Sequence, residues 1–386
     1  MDFALTDEQE ELRSGLHAWV DKKLPKNLAR EWEAREGEYP FELWDLMTEQ
    51  GLHAVGLPEE YGGAGGDVMS QVIIGRELSR TLGGLVWIWG LSSFCARSIA
   101  HSATEEVKQD LLPKLAEGEI RIAIAVTEPS GGTDLLGSMK TKAVKVDGGW
   151  SITGQKIWST AAHVSDYLLL LALTDPEAGK PSRGVTLFLV PNPAKGLEIR
   201  KIPKLGMKSV SSCEIFLDEV FVEDKYVVGD VNGGWRHILE SLNNERIIVS
   251  SLCLGVLDGV LEDAVDYMKV REAFGKPIGA FQSLQHYVAD IAMWQKQAEL
   301  MTYDAAWRQQ NGLPCGVEAT MAKVIASDYA TQAADLGIQI LGGMGYALET
   351  DMQRYWRDVR LYRIGPITNE MGRNLIAESF GLPRSF

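Results

Sequence analysis

Two short stretches combine residue types able to bind and turn over a small molecule. Residues 125–134 read AVTEPSGGTD. Small residues and hydroxyls gathered in a turn leave backbone N–H groups uncovered, and such a turn can hold an anion or the carbonyl edge of a heterocycle. An ordinary turn has the same composition, because Pro and Gly pairs are good turn formers. Residues 156–162 read KIWSTAA, an indole beside two hydroxyls. Tryptophan can stack on a planar ring while hydroxyls supply hydrogen bonds; a core Trp on a strand would look the same.

Other chemistries lack their patterns. There is no P-loop, HExxH or GxSxG, and GGAGG at residues 62–66 has neither GxGxxG spacing nor a preceding strand. The histidines (His17, His53, His101, His163, His237, His286) are dispersed, with no pair at ligand spacing, so no metal site is expected. Cys95, Cys213, Cys253 and Cys315 are scattered, which suits a reducing, cytoplasmic compartment.

The elements positioning these stretches must come from 386 residues, 45% apolar and 24% charged, a globular composition with two to three domains' worth of chain. Lys and Arg number 38 against 53 Asp and Glu, a formal net charge of −15, which argues against nucleic acid or an anionic membrane as partner. The longest uncharged stretch, residues 81–96, is bracketed by Arg80 and Arg97 and falls short of the roughly 20 residues a bilayer needs. The acidic N-terminus lacks a signal-peptide pattern.

Thr6 and Gln9 have capping-box spacing, and Leu12, Leu16 and Val20 form one apolar stripe until Pro25. A second helix is predicted from near Pro40, carrying Trp44 and Met47 to a cap at Gly51, with further helices to about residue 120. The period then changes. TKAVKV alternates over residues 141–146, DGG turns, WSITGQKIW returns, and further short apolar runs follow. After residues 229–235 the helical period resumes. Three domains are expected, at 1–120, 121–230 and 231–386: helical, antiparallel β of about 100 residues, and helical again.

Three more stretches stand in register with the first two: VREAFGKPIGAFQ (270–282), IQILGGMGY (338–346) and RYWRDVRLYRIGPITNE (354–370). In this order, and with LTDEQEELR at the start, the chain resembles the acyl-CoA dehydrogenase family over nearly its whole length. The specific parts are RxxFGxxIxxFQ and IQILGGxGY. The resemblance implies an α+β protein: an N-terminal helical domain, a central antiparallel β-domain and a C-terminal four-helix-bundle domain. FAD would lie between the β-domain and the last helices. By the same resemblance, Thr127 hydrogen-bonds the flavin ring, Thr133 lies near the pyrophosphate and the CoA, and Trp158 and Thr160 contact the isoalloxazine. Arg271, Phe274 and Gln282, with Gln339 through Gly343, reach the FAD of a neighbouring subunit, and Thr368 closes over the cofactor. Sites shared in this way imply a homo-oligomer, usually a tetramer. The substrate is an acyl-CoA whose CoA arm meets Arg246, with Asn243 where Asp is common, and an electron-transfer flavoprotein takes the electrons.

The family reaction removes a weakly acidic α-proton, so a carboxylate must sit in a dry cleft that raises its pKa. In many members it is the Glu of RDxxxxxIYEGT; here RDVRLYRIGPIT puts Pro366 at that position, with Thr368 in register. A second family layout, that of isovaleryl-CoA and long-chain enzymes, places Glu directly before the CoA-contacting Arg, as Glu245 precedes Arg246 in LNNERIIVSS. Glu245 is therefore the expected base, although a good helix former in the first turns would look alike. Glu370 is the second candidate. Proline also lacks the N–H that the family uses at this position to polarise the thioester, a donor typically worth about 3 kcal/mol. Either another N–H serves, or the α-proton is more acidic, or the chemistry differs, as in same-fold oxidases, monooxygenases and β-eliminating enzymes. A non-enzymatic flavoprotein binding module is a further alternative, against which the net charge stands. GLVWIWGLSSF (84–94) lies where the family's acyl pocket has a wall. On a helix Trp87 and Trp89 cannot share a face, and bulk there favours a short, branched or cyclic acyl group; a packed core helix is the other reading.

Overall fold

Helix α1 (Asp7–Lys23) opens on the expected capping box: Thr6 Oγ1 accepts from the Gln9 N–H at 3.2 Å, and the Gln9 side chain accepts from the Thr6 N–H at 3.1 Å. Leu16 and Val20 are buried. The structure, a computed structural model, describes residues 4–35 and 37–384. A helix not foreseen, α2 (Lys26–Ala34), follows Pro25 and buries Ala29 and Trp32. The predicted second helix is α3 (Phe41–Glu49), and Gly51 beyond it has φ 72°, a left-handed turn that favours glycine. Then come α4 (Val68–Leu82), α5 (Trp87–Ser102) and α6 (Glu105–Ala116). By length and composition, Val68–Ser102 is apolar enough to cross a membrane, but 82% of its most apolar window is buried inside the protein.

The middle of the chain forms β1 (Ile122–Ala125), β2 (Lys142–Val146), β3 (Gly149–Thr160), β4 (Tyr167–Leu173), β5 (Val185–Pro191), β6 (Leu197–Ile202), β7 (Ser212–Glu223) and β8 (Val227–Val228). Their order is β6-β7-β3-β2-β4-β5-β8, with β1 beside β4. The β2–β3 hairpin closes at Val146 and Gly149. The domain expected to be antiparallel has two parallel pairings, β1 with β4 and a single β2–β4 pair. The β2–β3 hairpin stands between β1 and β4 and provides the long crossover that parallel neighbours need. Leu169 and Leu171 of β4 face the cluster shared with α5 and α6, while Leu168 and Leu170 face the opposite cluster. That explains an unbroken apolar strand.

The C-terminal part comprises α7 (Gly234–Val270), a short hairpin of β9 (Glu272–Ala273) and β10 (Lys276–Pro277), α8 (Gln282–Gln310), α9 (Gly316–Leu341), α10 (Gly343–Tyr346), α11 (Met352–Tyr362) and α12 (Asn369–Glu378). Helix α4 lies against α7 at glycine contacts. A Cβ at Gly75 would meet Ser251 Oγ at 2.3 Å, and one at Gly255 the Arg76 carbonyl at 2.1 Å. Helix α11 locks the three parts together. Arg354 donates to the carbonyls of Thr81 and Leu82, both at 2.7 Å. Asp358 accepts from the N–H of Gly84 at 2.9 Å and of Met207 at 2.7 Å.

Candidate active site

On the sheet side, β3 pins the TEP turn. Ile157 N–H donates to the Thr127 carbonyl at 2.9 Å. Lys156, fully buried, donates to Val126 O at 3.1 Å and Glu128 Oε1 at 2.9 Å, and Glu128 also accepts from the N–H groups of Lys140 and Thr141. Burial lowers the Lys156 pKa to about 8 against the pull of Glu128. Burial alone would raise Glu128, but Lys156 and the surrounding hydrogen bonds outweigh it and hold the carboxyl below the usual range.

Two residues further along β3 the register with β7 slips, since two residues of β3 oppose one of β7 between Lys156–Ile215 and Ser159–Cys213. Trp158 sits in this bulge at φ 65°, a costly angle for a bulky residue, and its side chain is turned outward to 56% exposure. A core Trp is therefore excluded. Among the described residues, the hydroxyls of Thr127, Thr133 and Thr160 have no hydrogen-bond partner. An exposed ring with unpartnered hydroxyls on the same strand, at Thr160, and on the turn paired with it, at Thr127, suits a planar heterocycle.

On the helical side, Glu245 is buried on α7, and no donor among the described residues reaches its carboxylate. Burial raises its pKa to about 7, against the opposing charges of Arg246 and Lys323. Cys95 of α5 lies close to it, and burial, followed by the Glu245 charge, drives that thiol's pKa upward. One turn earlier, Ser241 Oγ and Ser98 Oγ share a 2.7 Å hydrogen bond that ties α5 to α7. Asn244 fixes the rotation of α7 by donating to Gln71 Oε1 at 3.3 Å and accepting from Gln309 Nε2 at 2.8 Å. Asn243 accepts from Arg246 Nη1 at 2.9 Å, so the Asn that replaces the common Asp steadies the arginine. Thr133 stands exposed on its loop.

Thr368 caps α12, accepting from the Met371 N–H at 3.1 Å. Glu370 and Pro366 are exposed, so Glu370 lacks the dry setting a base requires. The segment with Trp87 and Trp89 is helical: Trp89 donates to the Leu52 carbonyl at 3.0 Å, away from the side on which Trp87 meets Phe94 and Tyr362.

The remaining candidates are not gathered here. Arg271, Phe274, Gln282, Gln339 and Gly343 lie at the far end of the bundle. At 1.5 Å per residue, Arg271 is about 39 Å along α7 from Glu245. Phe274 is 95% exposed at the hairpin tip with φ 52°. A cavity of about 480 Å³ lined by Val265, Met268, Pro277, Gly279, Gln285 and Val288 belongs to this end, not to Glu245.

Reading the sequence missed the Lys156–Glu128 pair, Asp358 and Lys323. A signal existed for two of them. Lys156 has the inward parity of Trp150 and Ile152, and Lys323 lies on the alanine face of α9 with Ala319, Ala326 and Ala330.

Residues 6–119, 123–220 and 232–381 match the family models for the acyl-CoA dehydrogenase N-terminal, middle and C-terminal domains. The chain is 35% identical over 376 residues to an acyl-CoA dehydrogenase of Bacillus subtilis, covering 97% of this chain and 98% of that protein. It is 34% identical over 372 residues to the mitochondrial isovaleryl-CoA dehydrogenase of Oryza sativa, covering 96% and 90%. Its fold superposes on butyryl-CoA dehydrogenase from Megasphaera elsdenii with a TM-score of 0.93 at 32% identity, covering 99% of this chain and all of that one. From its first helix to its last, the chain belongs to the acyl-CoA dehydrogenase family.

Proposed function

We propose that this FAD-dependent oxidoreductase dehydrogenates a short, branched or cyclic acyl-CoA, with Glu245 as the base and an electron-transfer flavoprotein as electron acceptor. The carrying observation is Glu245 itself: a buried carboxyl with no hydrogen-bond donor and a pKa near 7, the range in which a base is most useful at neutral pH. Thr127, Trp158 and Thr160 are suited to hold the flavin ring, Thr368 to close over it and Thr133 to meet the pyrophosphate. When bound, FAD supplies the acceptor for the hydride leaving the β-carbon. The Glu245 carboxylate takes the α-proton, and Arg246, steadied by Asn243, holds the negatively charged CoA arm. The aromatic contacts of Trp87 with Phe94 and Tyr362 support a confined acyl group.

The separation of Arg271, Phe274, Gln282, Gln339 and Gly343 from Glu245 supports a homotetramer in which that end serves a neighbour's cofactor. An outward Phe274 held at positive φ is suited to such a contact. The test is anaerobic mixing of the holoenzyme with a panel of acyl-CoAs while flavin absorbance is followed. Bleaching by branched or short acyl-CoAs, abolished in Glu245→Gln, is expected. Bleaching that survives in Glu245→Gln refutes the assignment.

Pro366 supports a second reading, in which the same fold serves an oxidase or β-eliminating reaction. Rapid oxygen consumption with a substrate other than an acyl-CoA would favour the oxidase, and release of a β-substituent with neither oxygen uptake nor flavin bleaching the β-elimination.

A further inference from the structure

Helix α9 carries a polar patch on an otherwise alanine-rich buried face, Lys323 and Ser327, with the half-buried Asp328 at its edge. Lys323 is fully buried and donates to the Ile367 carbonyl at 2.5 Å and to Asn369 Oδ1 at 2.8 Å. Asn369, also fully buried, donates to Ser327 Oγ at 3.0 Å and Asp328 Oδ1 at 2.9 Å. Asp328 receives Arg373 at 2.6 Å, and the Arg363 guanidinium lies 2.7 Å away without a well-aimed N–H. These contacts grip both neighbours of Thr368 and the start of the loop containing Pro366.

A buried ammonium is costly, and among the described residues no carboxylate lies within 4 Å of Lys323 Nζ. A leucine or methionine would fill the same volume at less cost. Besides the loop, Lys323 faces Arg246 and Cys253 of α7, Asp328 of its own helix and Glu370 of α12. Glu245 in turn feels the charges of Arg246 on its own helix and of Lys323 on α9, and its own charge acts on Cys95 of α5. The ammonium thus binds the loop that carries Pro366, and its charge acts on Glu245 of α7 as well.

We propose that Lys323 is a positioning residue of the active site: it clamps residues 367–369 from beneath, and its charge acts together with that of Arg246 on Glu245. This rests on the assignment of Glu245 as base. With the usual carboxylate replaced by Pro366, the loop contributes neither charge nor N–H at that position, and the clamp keeps it in register with Thr368. The cation favours the ionised form of Glu245, the form that accepts a proton.

The test uses holoenzyme with Lys323→Met, which keeps length and removes charge. Amide exchange of residues 363–372 should quicken about tenfold, because two acceptors lose their donor. The acid limb of anaerobic flavin reduction, measured between pH 5.5 and 7.5 where Lys323 is still charged, should move up by about half a pH unit or more. A purely structural lysine would leave that limb in place. Unchanged loop exchange overturns the clamp, and an unmoved limb overturns the electrostatic role. Should Lys323→Met fail to fold, Lys323→Arg must leave the limb in place and Asn369→Ala must quicken loop exchange; failure of either overturns the proposal. A wild-type holoenzyme that bleaches with no acyl-CoA refutes the proposed function, and loop exchange then decides the clamp alone.

Discussion

Glu245→Gln should stabilise the protein, and more so as pH rises. A free Glu titrates at 4.5, whereas burial holds Glu245 near 7. Below pH 4.5 the carboxyl is neutral folded and unfolded, so it costs nothing. As pH rises from 4.5 to 7 the unfolded chain releases the proton while the folded one keeps it, and stability falls. Above 7 the full cost is present, about 3 kcal/mol from about 1.4 kcal/mol per pH unit. At pH 5.5 about 1 kcal/mol of it has developed, so the advantage of the glutamine grows by about 2 kcal/mol between pH 5.5 and 8.5. For a chain of this length the unfolding entropy is about 0.8 kcal/mol/K, so the Tm gap should widen by about 2–3 °C. Calorimetry of both holoenzymes at the two pH values reads this directly, and anaerobic bleaching by acyl-CoA should fall about a thousandfold in the same variant. A Tm gap that is constant, or that narrows as pH rises, refutes the dry, poised carboxyl.

Arg246→Met should raise KM for acyl-CoA and shift the acid limb of the reductive rate upward, since one of the cations favouring ionised Glu245 is gone; a limb shifted downward would contradict the placement. Lys156→Met should cost about 3–5 kcal/mol by leaving Glu128 buried without its partner, and Lys156→Met with Glu128→Gln, which removes the charge but keeps an acceptor for the N–H groups of Lys140 and Thr141, should recover part of it in urea denaturation. Asp358→Ala should cost about 2–4 kcal/mol, because the N–H groups of Gly84 and Met207 lose their acceptor. Trp158→Gly should hold Tm within a few degrees, because glycine accepts the positive φ, while FAD affinity measured by flavin fluorescence falls; equal affinity would remove the ring from the cofactor site.

Much of the architecture was legible in short-range patterns. The Thr6–Gln9 capping box, the turn between Val146 and Gly149 and the return of helical period near Gly234 each depend on residues a few positions apart. Helix α2 escaped notice because it is nine residues long between two prolines. The parallel β1–β4 pairing escaped because it joins strands separated by a hairpin. The motif stretches named the candidate site residues, but not their grouping.

By itself, the sequence determined the order of helices and strands, the family patterns and the absence of a Glu at position 366, because all of these are written in neighbouring residues. Only the tertiary structure decided that Glu245 is dry, that Trp158 is thrown outward by a bulge, that Lys323 lies beneath the Pro366 loop, and that Arg271 stands some 39 Å along the helix from Glu245. Burial, desolvation and charge proximity sum over elements distant along the chain; Glu245 meets groups from α5, α7 and α9 together, and no local pattern encodes that sum.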